Sequence, residues 1–188
     1  MDGKLIIIAA PSGSGKTSIV KFLLEQNLNL FFSVSATTRK MRQNEKDGVD
    51  YHFISEEEFL DKIEKNQFVE WQEVYNGTHY GTLKSEVDAK LAQGKNIVFD
   101  VDVIGGLNIK KMYGDKALSI FIKPPTLEEL TVRLRKRGTE SEESLQKRLA
   151  KAMFELEHET LFDVTIINDE LSVAQDEAVS LIKSFINK

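Results

Sequence analysis

The chain has 188 residues and a mass of 21.3 kDa, with 41% hydrophobic and 29% charged residues, which suits one sizeable core with small inserted lobes rather than a disordered or fibrous protein. Its net charge of −5 argues against general nucleic-acid binding, although local basic clusters can still hold a nucleotide's phosphates. No cysteine occurs, so disulfides and thiol catalysis are excluded.

The first element is the apolar, mostly β-branched run Leu5-Ile6-Ile7-Ile8, which reads as a strand buried on both faces of a parallel sheet. It is too short for a signal peptide or a membrane span, so the expected location is cytoplasmic and no membrane partner is expected. The chain then turns through Pro11-Ser12-Gly13-Ser14-Gly15 and enters a helix at about Lys16. Glycines let the backbone wrap an anion with successive N–H groups pointing inward, and the helix adds its positive N-terminal end. Lys16 supplies a mobile positive charge and the Thr17 hydroxyl a ligand for Mg²⁺, completing a Walker A loop. The pattern GxxxxGK[ST] asks for glycine where this chain has Ala10, the smallest replacement, at the end of a strand.

The first helix, Thr17 to Gln26, sets Ile19, Val20, Leu23 and Leu24 on one face, and Leu30 to Ser35 reads as a short strand. The polar segment from Ala36 to Gly48 concentrates four basic residues; it is either a plain solvated loop or a grip on an anionic ligand. Tyr51 to Ile54 reads as a strand, and Ser55 with Glu58 forms a capping box for a helix through about Lys65, its buried stripe Phe59, Leu60 and Ile63. Gln67 to Tyr75 and Thr78 to Thr82 flank Asn76-Gly77, a hairpin signal. The strand-rich stretch 35–82 therefore reads as a small inserted lobe.

Helix and strand alternation resumes with Lys84 to Ala92, ended by Gly94, and with the strand Asn96 to Asp102, which finishes in the carboxylates Asp100 and Asp102. A helix through about Met112 and a strand at Ala117 to Ile122 follow. After Pro124-Pro125, Thr126 caps a helix through Lys136, and Thr139 with Glu142 caps another. The basic residues Arg133, Arg135, Lys136, Arg137, Lys147 and Arg148 around this break either pair with neighbouring glutamates or, given a phosphate loop, form an arginine-bearing lid. Val164 to Ile167 is the last strand, and Ser172 to Ile186 a helix with Val173, Ala174, Ala178, Leu181, Ile182 and Phe185 facing inward. The histidines His52, His79 and His158 lack metal-ligand spacing and read as structural or surface residues. About five buried strands with helices on both faces predict a P-loop α/β three-layer sandwich with a lobe and a helical lid.

The stretches APSGSGKTS, SVSATTRKMRQNEKDGVDYHF, FVEW, THYGT, FDVD, RLRKRGTESEESLQKRL and IIND together resemble the guanylate kinase family over nearly the whole chain. The resemblance implies one domain, with a P-loop NTPase core over 1–34, 83–125 and 160–188, a GMP-binding lobe over 35–82 and a lid over about 126–159. It implies transfer of the γ-phosphoryl of MgATP to GMP, with Mg²⁺ as cofactor, ATP and GMP as small-molecule partners, no nucleic-acid partner, and the choice between monomer and homo-oligomer open. ATP would be held by Ala10, Pro11, Ser12, Gly13, Ser14, Gly15, Lys16, Thr17 and Ser18, with Arg133 and Asn168. Lys16, Arg137 and Arg148 would be catalytic, and Thr17 and Asp100 would hold Mg²⁺, Asp100 through water.

GMP would be held by Ser35, Arg39, Arg42, Tyr51, Glu70, Tyr80, Thr82 and Asp102. Glu70 matches the family's guanine reader: guanine's N1–H and exocyclic NH₂ are adjacent donors that one carboxylate accepts together. Adenine places an acceptor there, and such a site discriminates by a factor on the order of 10⁴. Arg39, Arg42, Tyr51 and Tyr80 match the clamp on the GMP phosphate. Many relatives carry glutamine where this chain has Ile104. Two other readings remain open: a non-catalytic guanylate-kinase-like protein-binding module, and a related sugar-phosphate kinase, which would have no use for Glu70.

Overall fold

The computed structural model describes residues 3–75, 77–136 and 142–188. In chain order the strands are β1 (Leu5–Ala9), β2 (Leu30–Phe32), β3 (Ala36–Thr37), β4 (His52–Phe53), β5 (Phe68–Tyr75), β6 (Thr78–Leu83), β7 (Asn96–Val101), β8 (Ala117–Lys123) and β9 (Val164–Ile167). The helices are α1 (Lys16–Leu24), α2 (Glu56–Glu64), α3 (Lys84–Ala92), α4 (Val103–Tyr113), α5 (Leu127–Lys136), α6 (Glu142–Glu157) and α7 (Leu171–Ile186). Among the described residues no helix is long and apolar enough to cross a membrane.

A five-stranded, all-parallel sheet runs in the order β2-β7-β1-β8-β9. β1 is central because every one of its side chains from Leu5 to Ala9 is fully buried, as an uninterrupted apolar strand requires. From β1 the chain goes to β2 at one edge, returns to β7 beside β1 and then crosses to β8 and β9 on the other side, so the reversal of strand order falls at β1, where open α/β sheets place their ligand crevice.

Two compact units divide the chain: Leu5–Leu30 with Val98–Lys188, and Met1–Lys4 with Phe31–Ile97. In the first, Ile6, Ile8, Ile120 and Ile122 pack against Ile19, Val20 and Leu23 of α1 and Ala174, Ala178 and Ile182 of α7. Ala9 and Phe121, one residue out of phase and therefore on the opposite sheet face, pack with Val103 of α4 and Phe162. The result is the expected helix, sheet, helix layering. α5 and α6 join through Leu130, Leu134, Leu145 and Ala152. Val173 departs from its expected place: it is 58% exposed, because the buried row of α7 is Ala174, Ala178 and Ile182, and Val173 sits about 100° round the helix from that row.

The second unit holds a four-stranded sheet in the order β4-β3-β6-β5, with β3 parallel to β4 and the other pairs antiparallel. Its core is Ala36, Phe59 and Phe68, with the two rings stacked at 4.3 Å between centroids. Ser55 caps α2 as its spacing from Glu58 predicts, its side chain accepting from the Glu58 N–H. Leu60, expected in the buried stripe, is 44% exposed, because Phe59 and the half-buried Ile63 define the face and Leu60 lies one step round. The strand expected over Leu30 to Ser35 ends at Phe32, and pairing restarts only at Ala36. The expected hairpin joins β5 to β6 with Tyr75 opposite Thr78; Asn76, and the Thr139 half of the second capping box, lie outside the described residues.

Candidate functional site

In the unit carrying β1, the strand ends at Ala9 and the loop closes on itself through Ser14 N–H to the Pro11 carbonyl at 3.1 Å. Gly15 caps α1 at φ 89°, a conformation L side chains rarely adopt. A Cβ there would also run into the side-chain amide of Asn168, which is buried and donates to the Ser14 carbonyl at 2.7 Å. Asn168, at the carboxyl end of β9, thus braces the loop from below. The loop stretch 10–17, with Asp100, Asp102, Lys151 and Glu155, lines a cavity of about 330 Å³.

Lys16 and Asp100 in this cavity are already paired with each other. Lys16 Nζ donates to the Val101 carbonyl at 2.6 Å and pairs with Asp100 Oδ1 at 2.7 Å. Asp102 caps α4, accepting from the Gly105 N–H at 2.8 Å. Arg148 of α6 donates to Ser12 Oγ at 2.7 Å. A second cavity of about 300 Å³ is lined by the loop glycines with Ser18, Arg133, Lys136, Asn168, Asp169 and Leu171. There Arg133 is set by Glu129, one turn earlier, at 2.8 Å and donates to the Asn168 carbonyl at 2.9 Å. Of the residues expected around ATP, this unit thus brings Ala10 to Thr17 and Asp100 to one cavity, and Ser18, Arg133 and Asn168 to the other. Arg137 lies outside the described residues.

In the other unit, the loop after β3, the residue just before β4 and the strand β6 bring Arg39, Tyr51 and Tyr80 together. Arg39 lies over the Tyr51 ring at 5.3 Å, and its Nε donates to the Tyr80 hydroxyl at 3.2 Å. Its two terminal nitrogens donate to the two oxygens of Glu45, each at 2.8 Å, a bidentate pair, and Nη1 also donates to the Lys40 carbonyl. Glu45 accepts from the Arg42 backbone N–H as well. The Arg39 guanidinium, followed by that N–H, holds the Glu45 carboxyl down to about 2, and Glu45 in turn raises Arg39 above its ordinary value. Arg42 itself is exposed. Ser35 contributes its carbonyl to the His52 N–H at 2.9 Å.

Glu70 and Thr82 face each other across β5 and β6, and the Thr82 hydroxyl donates to Glu70 Oε1 at 2.8 Å. A register shift between Phe68 and Glu70 marks a bulge, a device that re-aims a side chain. Gly81 permits the close fit of the two strands here: a Cβ on it would meet the Glu70 carbonyl, Phe68 and Trp71 at 2.9 Å.

Comparison with known proteins decides what this architecture belongs to. The family model described as guanylate kinase matches residues 2–188. The chain belongs to the guanylate kinase family. It is 54% identical to the guanylate kinase of Bacteroides thetaiotaomicron, over 100% of this chain and 92% of that protein. It is 51% identical to that of Porphyromonas gingivalis, over 98% of this chain and 99% of that one. Its fold is close to the crystal structure of guanylate kinase from Anaplasma phagocytophilum, with a TM-score of 0.73 and 28% identity, covering 100% of this chain and 88% of that one. As a guanylate kinase the chain is an enzyme, a nucleotide kinase and a transferase.

Guanylate kinases generally work with Mg²⁺ and ATP. The donor set present fits a hard cation: the Thr17 hydroxyl side and the Asp100 carboxylate line one cavity, both oxygen donors. Two charged residues of these sites escape a reading of the sequence. Glu45 is one acid among several in a polar loop, and nothing in its spacing says that it pairs with Arg39. Glu155 leaves a fainter trace: it follows Arg148 by seven residues, two helical turns, and so shares its face of α6.

Proposed function

We propose that this guanylate kinase transfers the γ-phosphoryl group of ATP to the α-phosphate of GMP, giving ADP and GDP. The observation that carries this reading is a phosphate loop, ending in Lys16 and Thr17, that lines a cavity with Asp100 in a chain matched over residues 2–188 by the guanylate kinase model. In this reading ATP lies along the loop, its phosphates taken by backbone N–H groups and by Lys16, which exchanges Asp100 for them. Arg148 and Arg137 steady the transferring group, and an arginine so placed contributes on the order of 10³ to 10⁵ in rate. Mg²⁺, when bound with the nucleotide through Thr17 and, by way of water, Asp100, neutralises charge on the phosphate oxygens.

The stretch 35–82 acts as the GMP lobe and the stretch about 126–159 as the lid. Glu70 accepts both guanine donors, supported by Thr82, Ser35 and Asp102. Arg39, its Nη1 and Nη2 held by Glu45 and its Nε set on the Tyr80 hydroxyl, brings its positive charge to the GMP phosphate, with Arg42, Tyr51 and Tyr80 completing the clamp. The acceptor oxygen already belongs to a phosphate, so positioning and charge neutralisation carry the reaction and no strong base is required. Lobe and lid closure excludes water that would otherwise hydrolyse ATP.

The test is ADP release from MgATP with GMP, AMP, CMP or UMP as acceptor, for the parent, Lys16→Ala and Glu70→Gln. Strong preference for GMP, lost in Glu70→Gln, with all turnover lost in Lys16→Ala, is the expected result. Turnover of another acceptor at the same rate refutes the guanine assignment.

A further inference from the structure

Glu155 is a charged residue that the reaction just described does not use, and it sits in the cavity of the phosphate loop. It is only 5% exposed. The Ser12 backbone N–H, in the loop itself, bonds its carboxyl group, while Arg148 on the same face of α6 takes the Ser12 hydroxyl. The second oxygen, Oε2, is buried and has no hydrogen-bond partner among the described residues. Lys151 Nζ, its own side chain 64% exposed, lies 3.8 Å from Oε1. Burial pushes the Glu155 carboxyl up and Asp102 adds to that, while Lys151, Lys16 and the Ser12 N–H oppose it.

A buried carboxylate oxygen with no donor is costly, and a catalytic role or a bound water or ion is among the reasons a protein keeps one. The cavity has three carboxylates, Asp100, Asp102 and Glu155, against the ammonium groups of Lys16 and Lys151. Once a nucleotide's phosphates draw Lys16 from Asp100, the acidic side of this balance is left with less compensation. Among the described residues no three carboxylates or histidines converge closely enough to ligate a metal directly. Contact through water remains, and Mg²⁺ characteristically keeps several of its waters.

We propose that Glu155 is a positioning residue for the nucleotide's metal ion, its unpartnered Oε2 accepting a hydrogen bond from a water in the Mg²⁺ shell. This rests on the kinase reading of the cavity. It makes α6 a two-point reader of the loaded loop: Arg148 answers to phosphate and Glu155 to the hydrated cation. Glu155→Gln preserves shape and one acceptor but places an amide nitrogen where an acceptor is needed, and outer-shell changes of this kind cost about 10- to 100-fold in metal affinity.

The experiment measures ADP binding by calorimetry in EDTA and over a Mg²⁺ series, and Mn²⁺ binding to the ADP complex by electron paramagnetic resonance, for the parent, Glu155→Gln, Glu155→Asp and Lys16→Ala. The expected result is metal affinity of the ADP complex weakened on the order of tenfold or more in Glu155→Gln, with metal-free ADP affinity within about twofold of the parent. Glu155→Asp, which keeps the charge one methylene further back, falls between them and carries the test should the glutamine variant fold poorly. Unchanged metal affinity in both variants overturns the proposal, as does an equal loss with and without metal, which would assign Glu155 to bracing Ser12 alone. A parent that binds no ADP, or binds it as Lys16→Ala does, overturns the kinase reading and this proposal with it.

Discussion

Gly15 and Asn168 should behave as one unit in stability. A Gly15→Ala chain must hold alanine at φ 89°, which costs about 1–2 kcal/mol. Its Cβ must also displace the Asn168 amide, breaking the 2.7 Å bond to the Ser14 carbonyl and leaving a buried acceptor unpaired, which costs about 1–3 kcal/mol. The single substitution should therefore destabilise the nucleotide-free protein by roughly 2–5 kcal/mol, lowering Tm by about 5–15 °C for a chain of this length. With Asn168→Ala already in place there is no amide to displace, so only the backbone term, about 1–2 kcal/mol, remains. Urea unfolding of the parent, both single variants and the double variant gives the coupling directly, expected at about 1–3 kcal/mol. Additivity within about 0.5 kcal/mol would refute the claim that Asn168 braces the loop through this contact.

Three further outcomes follow from the other unit. Arg39→Lys keeps the charge but loses the planar fork that Glu45 and Tyr80 hold, so KM for GMP should rise on the order of 10- to 100-fold with a smaller change in kcat, read in steady-state kinetics. Phe59→Ala removes a fully buried ring stacked on Phe68 and should cost about 3–5 kcal/mol, seen as lost hydrogen-exchange protection across Phe31–Ile97. Glu45 titrates at about 2, below its ordinary 4.5, so its stabilising contribution is complete above pH 4.5 and is lost as pH falls towards 2. Carbon-detected NMR of the Glu45 carboxyl, midpoint near 2 in the parent and back in the ordinary range in Arg39→Ala, checks this.

The sheet and the phosphate loop were legible in the sequence because each depends on near neighbours. A strand buried on both faces must be apolar throughout, as Leu5 to Ile8 are, and an anion loop needs its glycines and lysine at set spacing. Helix faces were legible to within one residue: Phe59 and Ala174 mark the buried rows, while Leu60 and Val173, apolar but one step round, do not join them. Apolar character alone does not say which of two adjacent residues faces inward. The break between Phe32 and Ala36 was hidden because the intervening residues carry no glycine or proline to announce it. Glu45 and Glu155 escaped for a different reason. A carboxylate's role depends on which cation or N–H lies opposite, at separations of six residues to Arg39 and 143 to Ser12, and surface helices and loops are rich in acids that look the same in one dimension.

If the loop takes a nucleotide's phosphates as proposed, the pairing of Lys16 with Asp100 makes their entry an exchange and not an addition. An anion arriving at the loop competes with a carboxylate that is tethered to the same sheet and therefore always present at high local concentration. Orthophosphate or sulfate, touching the loop at one point, has only its own charge with which to displace Asp100. A polyphosphate spanning several backbone N–H groups would draw on all of them at once, and the carboxylate it released would become available to the cation that travels with it. On the proposed reading the loop selects by chain length, weighing against small anions that touch it at a single point.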